Sequence, residues 1–229
     1  MKEDPLLNFE AAQRSEGTPA NGEKALGLGR FWAEVLSLTF MSILVPVVVF
    51  LDATILFDHM SEGTLTEWTQ AGLIAGTAVL FFIGACTIPA ATGYLMSAAT
   101  LCTCMFLREN DVYFDIIWHG FWIVPVSIVL CLGTAFAIRN RHTLREPFLR
   151  HAATREAAFL MIGFIFVLIF SRVYGSGDLW RAIMGPNYTW QIKAALQEGV
   201  ELMGYSILAF GAFLSFRSGF GQRIETKDQ

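Results

Sequence analysis

Residues 68–107 carry no charge at all, and that stretch limits what the chain can become. A single helix of that length would be about 60 Å long at 1.5 Å per residue. The hydrocarbon core of a bilayer is about 30 Å thick and takes about 20 apolar residues per crossing. The stretch is therefore too long for one crossing and right for two. Pro89 and Gly93 flank Ala-Ala-Thr near its middle. Proline ends or kinks a helix and glycine relaxes the turn. The expectation is two short spans, 70–88 and 91–107, with a tight uncharged turn between them. Were 68–107 a single span, the total would fall from six to five.

The rest of the chain fits a membrane setting. It is 54% hydrophobic and only 16% charged, where soluble domains average about 25% charged. A net charge of −4 offers no basic footprint for nucleic acid. The four cysteines, Cys86, Cys102, Cys104 and Cys131, all fall inside apolar runs. That placement suits small buried hydrophobes, not a secreted disulfide framework. Cys102 and Cys104 are too close for ordinary zinc-finger spacing.

Four further apolar runs complete the set: 31–51, 117–138, 157–171 and 194–216. The expected fold is an all-α polytopic bundle of transmembrane helices spanning 31–216. Polar tails at 1–30 and 217–229 flank it, the first mobile because it has too few large apolar residues to fold alone. Pro46 is expected to kink the first span. Thr64-Leu-Thr-Glu67 is a capping box ahead of the second. Gly72 and Gly76 have a small-xxx-small spacing that would let a neighbouring helix come close. Residues 178–184 suit a short interfacial helix.

Orientation follows from lysine and arginine, since the positive-inside rule does not weigh acids. The connection 139–155 is the one strongly basic loop, with Arg139, Arg141, Arg145, Arg150 and Arg155. The connection 52–67 has Asp52, Asp58, His59, Glu62 and Glu67 but no lysine or arginine. Six spans put these two on opposite sides, with both tails cytoplasmic beside the basic loop. Five spans would put them together. The expected partners are lipid, and a partner subunit or a second copy.

This orientation collects the candidate site residues on the outer side. Trp68, Trp118, Trp122, Trp180 and Trp190 go there, and only Trp32 goes to the other face. Asp111, Asp115 and His119 are spaced i, i+4, i+8, on one face if the segment is helical. Glu198 and Glu201 are spaced i, i+3, with Tyr205 one turn further along. Carboxylate pairs can hold a cation or move a proton. They can equally form an ion-pair layer, with Arg172 as the cation best placed to join it. No Glu-x-x-His, HExxH, GxSxG or P-loop occurs. The expectation is no metal site, no cofactor and no recognisable catalytic group. Asn187-Tyr-Thr189 has the form of a glycosylation acceptor, which has meaning only outside bacteria.

The segments LTEWTQ, RENDVYFDIIWHGFW, SRVYGSGDLWRAIMG and EGVELMGY resemble the outer-face segments of an uncharacterised group of bacterial multi-span inner-membrane proteins. The likeness implies location and architecture. It implies no activity and assigns no functional residue.

Three function classes are compatible with these features. The first is a non-catalytic binding, accessory or assembly subunit for a lipid, a pigment or a partner membrane protein, held through the aromatic and acidic outer face. The second is a small transporter or channel, against which the mid-depth of the spans has almost no ionisable group. The third is a membrane enzyme acting on a lipid headgroup, against which no nucleophile–base pair can be recognised.

Overall fold

The computed structural model describes residues 21–54 and 64–222, and all regular structure among them is helical. The long helices are α1 (Asn21–Thr54), α2 (Leu65–Thr87), α3 (Thr92–Glu109), α5 (Ile123–Arg139) and α10 (Trp190–Arg217). Shorter ones are α4 (Asp111–Asp115), α6 (Arg145–Ala152) and α9 (Gly177–Met184). One further span is composite: α7 (Arg155–Ile165) runs through a π-helical turn, Phe166–Phe170, into α8 (Ser171–Tyr174). Five helices are long and apolar enough to cross a membrane: Phe31–Thr54, Leu65–Thr87, Pro89–Glu109, Arg155–Tyr174 and Trp190–Arg217. A sixth is reached if α5 and the residues after it, bent from it by 89° into α6, count as one span. The all-α membrane bundle is as expected. The first helix begins at Asn21, ahead of the apolar run at Phe31. Asp58, His59, Glu62, Arg223 and Lys227 lie outside the described residues.

The chain does reverse inside the uncharged stretch. A 3₁₀ turn, Pro89–Ala91, separates α2 from α3. Proline sits at the start of that turn, where its missing N–H costs nothing. Ile88 N–H bonds Gly84 O at 2.9 Å and closes α2. The Thr92 hydroxyl lies 3.1 Å from Ala85 O and 3.3 Å from Ile88 O, within reach of the carbonyls the turn would leave open. A turn satisfied in this way needs no charge to hold it in water. Gly93 is required for a close approach: a Cβ there would lie 2.6 Å from Asn140 O. Its N–H instead reaches Thr143 Oγ1 at 2.9 Å.

The chain divides into two units, 1–40 and 41–229, and the bundle belongs to the second. Its core is formed by α2, α3, α7 and α10, with Ile74, Phe81, Leu95, Cys102, Leu160 and Leu208 buried between them. A close crossing is α7, with the π turn that follows it, against α10. A Cβ on Gly163 would lie 2.7 Å from Leu208 N, and one on Gly204 would lie 2.7 Å from Val167 Cγ2. Small residues that let backbones touch are a main source of helix association where lipid is as apolar as leucine. Gly72 and Gly76 do not play this part. A Cβ on either would meet nothing within 4 Å, so the expected close approach is elsewhere. Helix α5 packs on α3 where Gly133 meets the Thr100 side chain, and none of its own residues is buried.

The antiparallel helices define two ends. At the acidic end α1 stops, α2 starts, α3 stops, α8 stops and α10 starts. At the basic end lie the Pro89 turn, the end of α5, α6 and the end of α10.

Candidate functional site

The acidic end is built on the start of α2. Asp52, at the end of α1, is completely buried. Its carboxylate accepts from the N–H groups of Leu65 at 2.9 Å and Thr66 at 2.7 Å, and from the Thr66 hydroxyl. An anion at the exposed N–H groups of a helix start is favoured by their partial positive charge. The expected capping box is also formed. Glu67 N–H donates to Thr64 Oγ1 at 3.2 Å, and Thr64 N–H donates to Glu67 Oε2 at 3.3 Å.

These caps fix the rotation of α2 and with it Gln70, which is fully buried. Gln70 Nε2 donates to Glu198 Oε2 at 3.0 Å and to Glu198 O at 3.1 Å. One turn along α10, Glu201 Oε1 lies 3.3 Å from Arg172 Nη2 and accepts from Gln197 Nε2 at 3.2 Å. A further turn on, the buried Tyr205 hydroxyl donates to Glu109 Oε2 at 2.9 Å. Arg108 Nη1 stands 3.7 Å from the same oxygen. The side chains of Glu109 and Glu201 are 8% and 4% exposed. Three carboxylates from two helices thus share one layer with two guanidinium groups.

The expected polar layer is therefore present in part. Arg172, Glu201, Glu198 and Tyr205 come together as their spacing implied. Asp111, Asp115 and His119 do not join them. The helix expected to carry all three ends at Asp115, and Gly120 at φ +87° turns the chain away. Asp115 and His119 do meet, at 2.7 Å, inside that turn, where Gly120 N–H also donates to Asp115 at 2.7 Å. The His119 side chain is 99% exposed. Trp118 is exposed and packs edge-on against Phe121 at 4.5 Å, and Trp122 is half-buried at the start of α5. Neither is in the carboxylate layer. Glu109 and Gln70 complete it instead. Glu109 stands in the break Arg108-Glu-Asn-Asp111, where charge usually means solvent, and it is buried where the end of α3 meets the Tyr205 hydroxyl of α10. Gln70 carried a weak signal, as a lone carboxamide within the first turns of a span. Among the described residues no group of three or more His, Cys, Asp or Glu is placed to hold a metal ion.

Midway along the bundle, α2, α3 and α5 enclose an open groove of ≈ 450 Å³. Phe82, Met96, Val129 and Phe136 line it, with Thr100 and Thr103. Both hydroxyls are already committed, to Met96 O and Ala99 O at 2.8 Å each. The groove thus offers an apolar wall.

The basic end holds a second polar group that the sequence did not disclose. His151 Nδ1 lies 2.6 Å from Tyr94 Oη, and His151 Nε2 lies 2.8 Å from Ser215 Oγ. His151 and Ser215 are buried, and Phe220 stands edge-on over the imidazole at 5.6 Å. Phe220 itself adopts φ +55° between Gly219 and Gly221, both also at positive φ. The connectivity resembles that of a serine–histidine pair, but both members are sealed from solvent. Helix α6 is short, charged and bent sharply off α5, so His151 lies outside the five helices that can each cross a membrane. Burial pushes its pKa down from 6.5 to about 4, opposed in part by the Glu156 carboxylate.

Comparison with protein-family models, with curated proteins and with solved structures gives no match for this chain.

Proposed function

We propose that this protein is a non-catalytic binding protein of a bacterial inner membrane that holds lipid through the groove between α2, α3 and α5. In this reading the tails and the basic end are cytoplasmic and the carboxylate layer faces outward, because the arginine-rich connection 139–155 belongs inside. The observation that carries the reading is the groove lining. Its two hydroxyls are bonded internally, so it favours an occupant with no hydrogen bonds to offer, such as an acyl chain.

Two other features support binding over the remaining classes. Between the carboxylate layer and the His151 group the core is formed by Phe81, Leu95, Leu160 and Leu208, and its buried polar side chains are the uncharged Thr77, bonded to Leu73 O, and Ser206. Substrate or proton paths are commonly marked by ionisable groups at that depth. The serine–histidine contact at the basic end is buried under Phe220, out of reach of a headgroup.

The test is native mass spectrometry of the protein released from nanodiscs, with Val129→Phe as a variant that fills the groove. Wild type should retain one or more lipids at collision energies that strip the variant, with helicity equal in both. Wild type that sheds all lipid as easily as Val129→Phe would refute the reading. Retention of a second polypeptide in place of lipid would convert it to an assembly subunit.

A further inference from the structure

The carboxylate layer at the acidic end contains one atom that is unexplained by its own network. Gln70 is fully buried, and its Oε1 has no hydrogen-bond partner among the described residues. Turning the amide over does not help. Oε1 would then face Glu198 O and Glu198 Oε2, both acceptors, and the donating Nε2 would be left open in its place. A buried acceptor without a donor costs about 1–3 kcal/mol, so a donor or a positive ion belongs beside it.

The charges around it point the same way. Arg172 pairs with Glu201 and Arg108 stands by Glu109. Among the described residues no ion pair reaches Glu198, which is within electrostatic range of Glu201, Glu109 and Glu67. One positive charge would balance the layer. A bare proton on Glu198 would neutralise that carboxylate and leave Gln70 Oε1 open as the amide stands; with the amide turned over it would reach Oε1 and leave Nε2 open instead. A divalent metal needs more anionic ligands, and the described residues hold no such group. One carboxylate with neutral amide and backbone oxygens suits a singly charged ion.

We propose that Gln70 Oε1 and the Glu198 carboxylate bind a monovalent cation, an alkali-metal ion or ammonium, entering from the acidic end. This site is separate from the groove between α2, α3 and α5 and does not rest on lipid binding. It forms because the caps at Asp52 and Thr64 hold α2 in the one rotation that puts Gln70 on Glu198.

The experiment uses the full chain in nanodiscs with choline chloride as the background salt, since choline is too large to enter a buried carboxamide site. NaCl, KCl and NH4Cl replace choline at constant ionic strength, and thermal unfolding is followed by tryptophan fluorescence. At least one of the three should raise Tm with a saturable dependence, and the one that acts at the lowest concentration separates alkali metal from ammonium. Glu198→Gln and Gln70→Leu should each weaken the apparent affinity by at least about tenfold, the loss of one charge-assisted contact. Identical Tm in choline and in all three salts would overturn the site, as would a saturable effect unchanged in both variants. Where neither variant folds, anomalous diffraction from wild-type crystals soaked in Tl⁺ decides. A peak in contact with Gln70 Oε1 and Glu198 supports the site and its absence refutes it.

Discussion

Tyr205 on α10 donates its hydroxyl to Glu109 on α3 across 2.9 Å, tying together two helices whose partners lie 96 residues apart in the chain. The side chain of Glu109 is only 8% exposed, so this donor is not easily replaced by water. Tyr205→Phe leaves the ring in place and removes the bond. Between transmembrane helices such a bond is worth about 1 kcal/mol. The expected result is a loss of that size in reversible unfolding by SDS, with the helix content of the folded state unchanged. Glu109→Gln should recover most of it in the Tyr205→Phe background, since it removes the carboxylate left without its donor.

Arg172 and Glu201 form the closer of the two charge pairs of the layer, at 3.3 Å. Removing one member of a buried pair strands the other, which commonly costs about 3–5 kcal/mol. Arg172 is partly exposed, so the cost of Arg172→Ala should fall below that range. Glu201→Gln in the Arg172→Ala background should restore part of the stability. A double-mutant cycle on Tm or SDS midpoint measures the coupling. Strictly additive effects would mean that the two side chains do not act on each other.

The glycines separate into two kinds. Gly204→Leu forces a side chain into Val167 and Phe166, and overpacking of this sort costs about 1–3 kcal/mol. Gly72→Ala meets open space, and alanine is favoured over glycine in a helix by up to about 1 kcal/mol. The first variant should lower Tm and the second should leave it equal or raise it. If Gly72→Ala were the more damaging, α2 would have a neighbour on that face.

Acid should weaken the basic end through His151. Its pKa is about 4 in the folded chain against 6.5 as the ordinary value. Above pH 6.5 both states are neutral and the contribution is complete. Between pH 6.5 and 4 the unfolded chain gains a proton that the folded chain refuses, so stability falls by up to about 1.4 kcal/mol per pH unit. Below pH 4 both states bind the proton and the loss stops. The difference in Tm between wild type and His151→Asn should therefore change through that window and be flat above it. A difference constant from pH 8 to pH 4 would contradict a neutral buried imidazole.

The orientation is tested by chemistry from outside. In a background free of native cysteines, a cysteine replacing Arg145 should resist an impermeant maleimide in intact cells and react after permeabilisation. Labelling in intact cells would invert or break the six-span arrangement.

The span pattern was legible because lipid imposes length and apolarity directly. The turn at Pro89 could be placed because proline, glycine and span length agree on it. The layer was half legible: Glu198, Glu201 and Tyr205 share a face at helical spacing, and Arg172 ends the preceding span. What escaped was anything set by rotation between helices. Gly163 and Gly204 mark the close crossing, yet Gly72 and Gly76 have the plainer sequence spacing. Asp115 and His119 fit a helical face only if the helix runs on past Asp115, and it does not. His151, Ser215 and Tyr94 come from three separate helices, and no single stretch of sequence carries their meeting.

The π-helical turn at Phe166–Phe170 has an evolutionary reading. A π turn holds one residue more than the α-helix it interrupts, so everything after it is rotated by about 100°, the angle one residue subtends. Arg172 follows directly, and it is this extra residue that lets it look along α10 at Glu201 while α7 keeps its glycine against Leu208. A chain that lost one residue here would still be a helix of nearly the same length and hydropathy. It would span the bilayer as before and present a different side chain to the carboxylates. Descendants of a common ancestor could thus differ by a single deletion in the middle of a greasy segment, look interchangeable by composition, and no longer share a charge network.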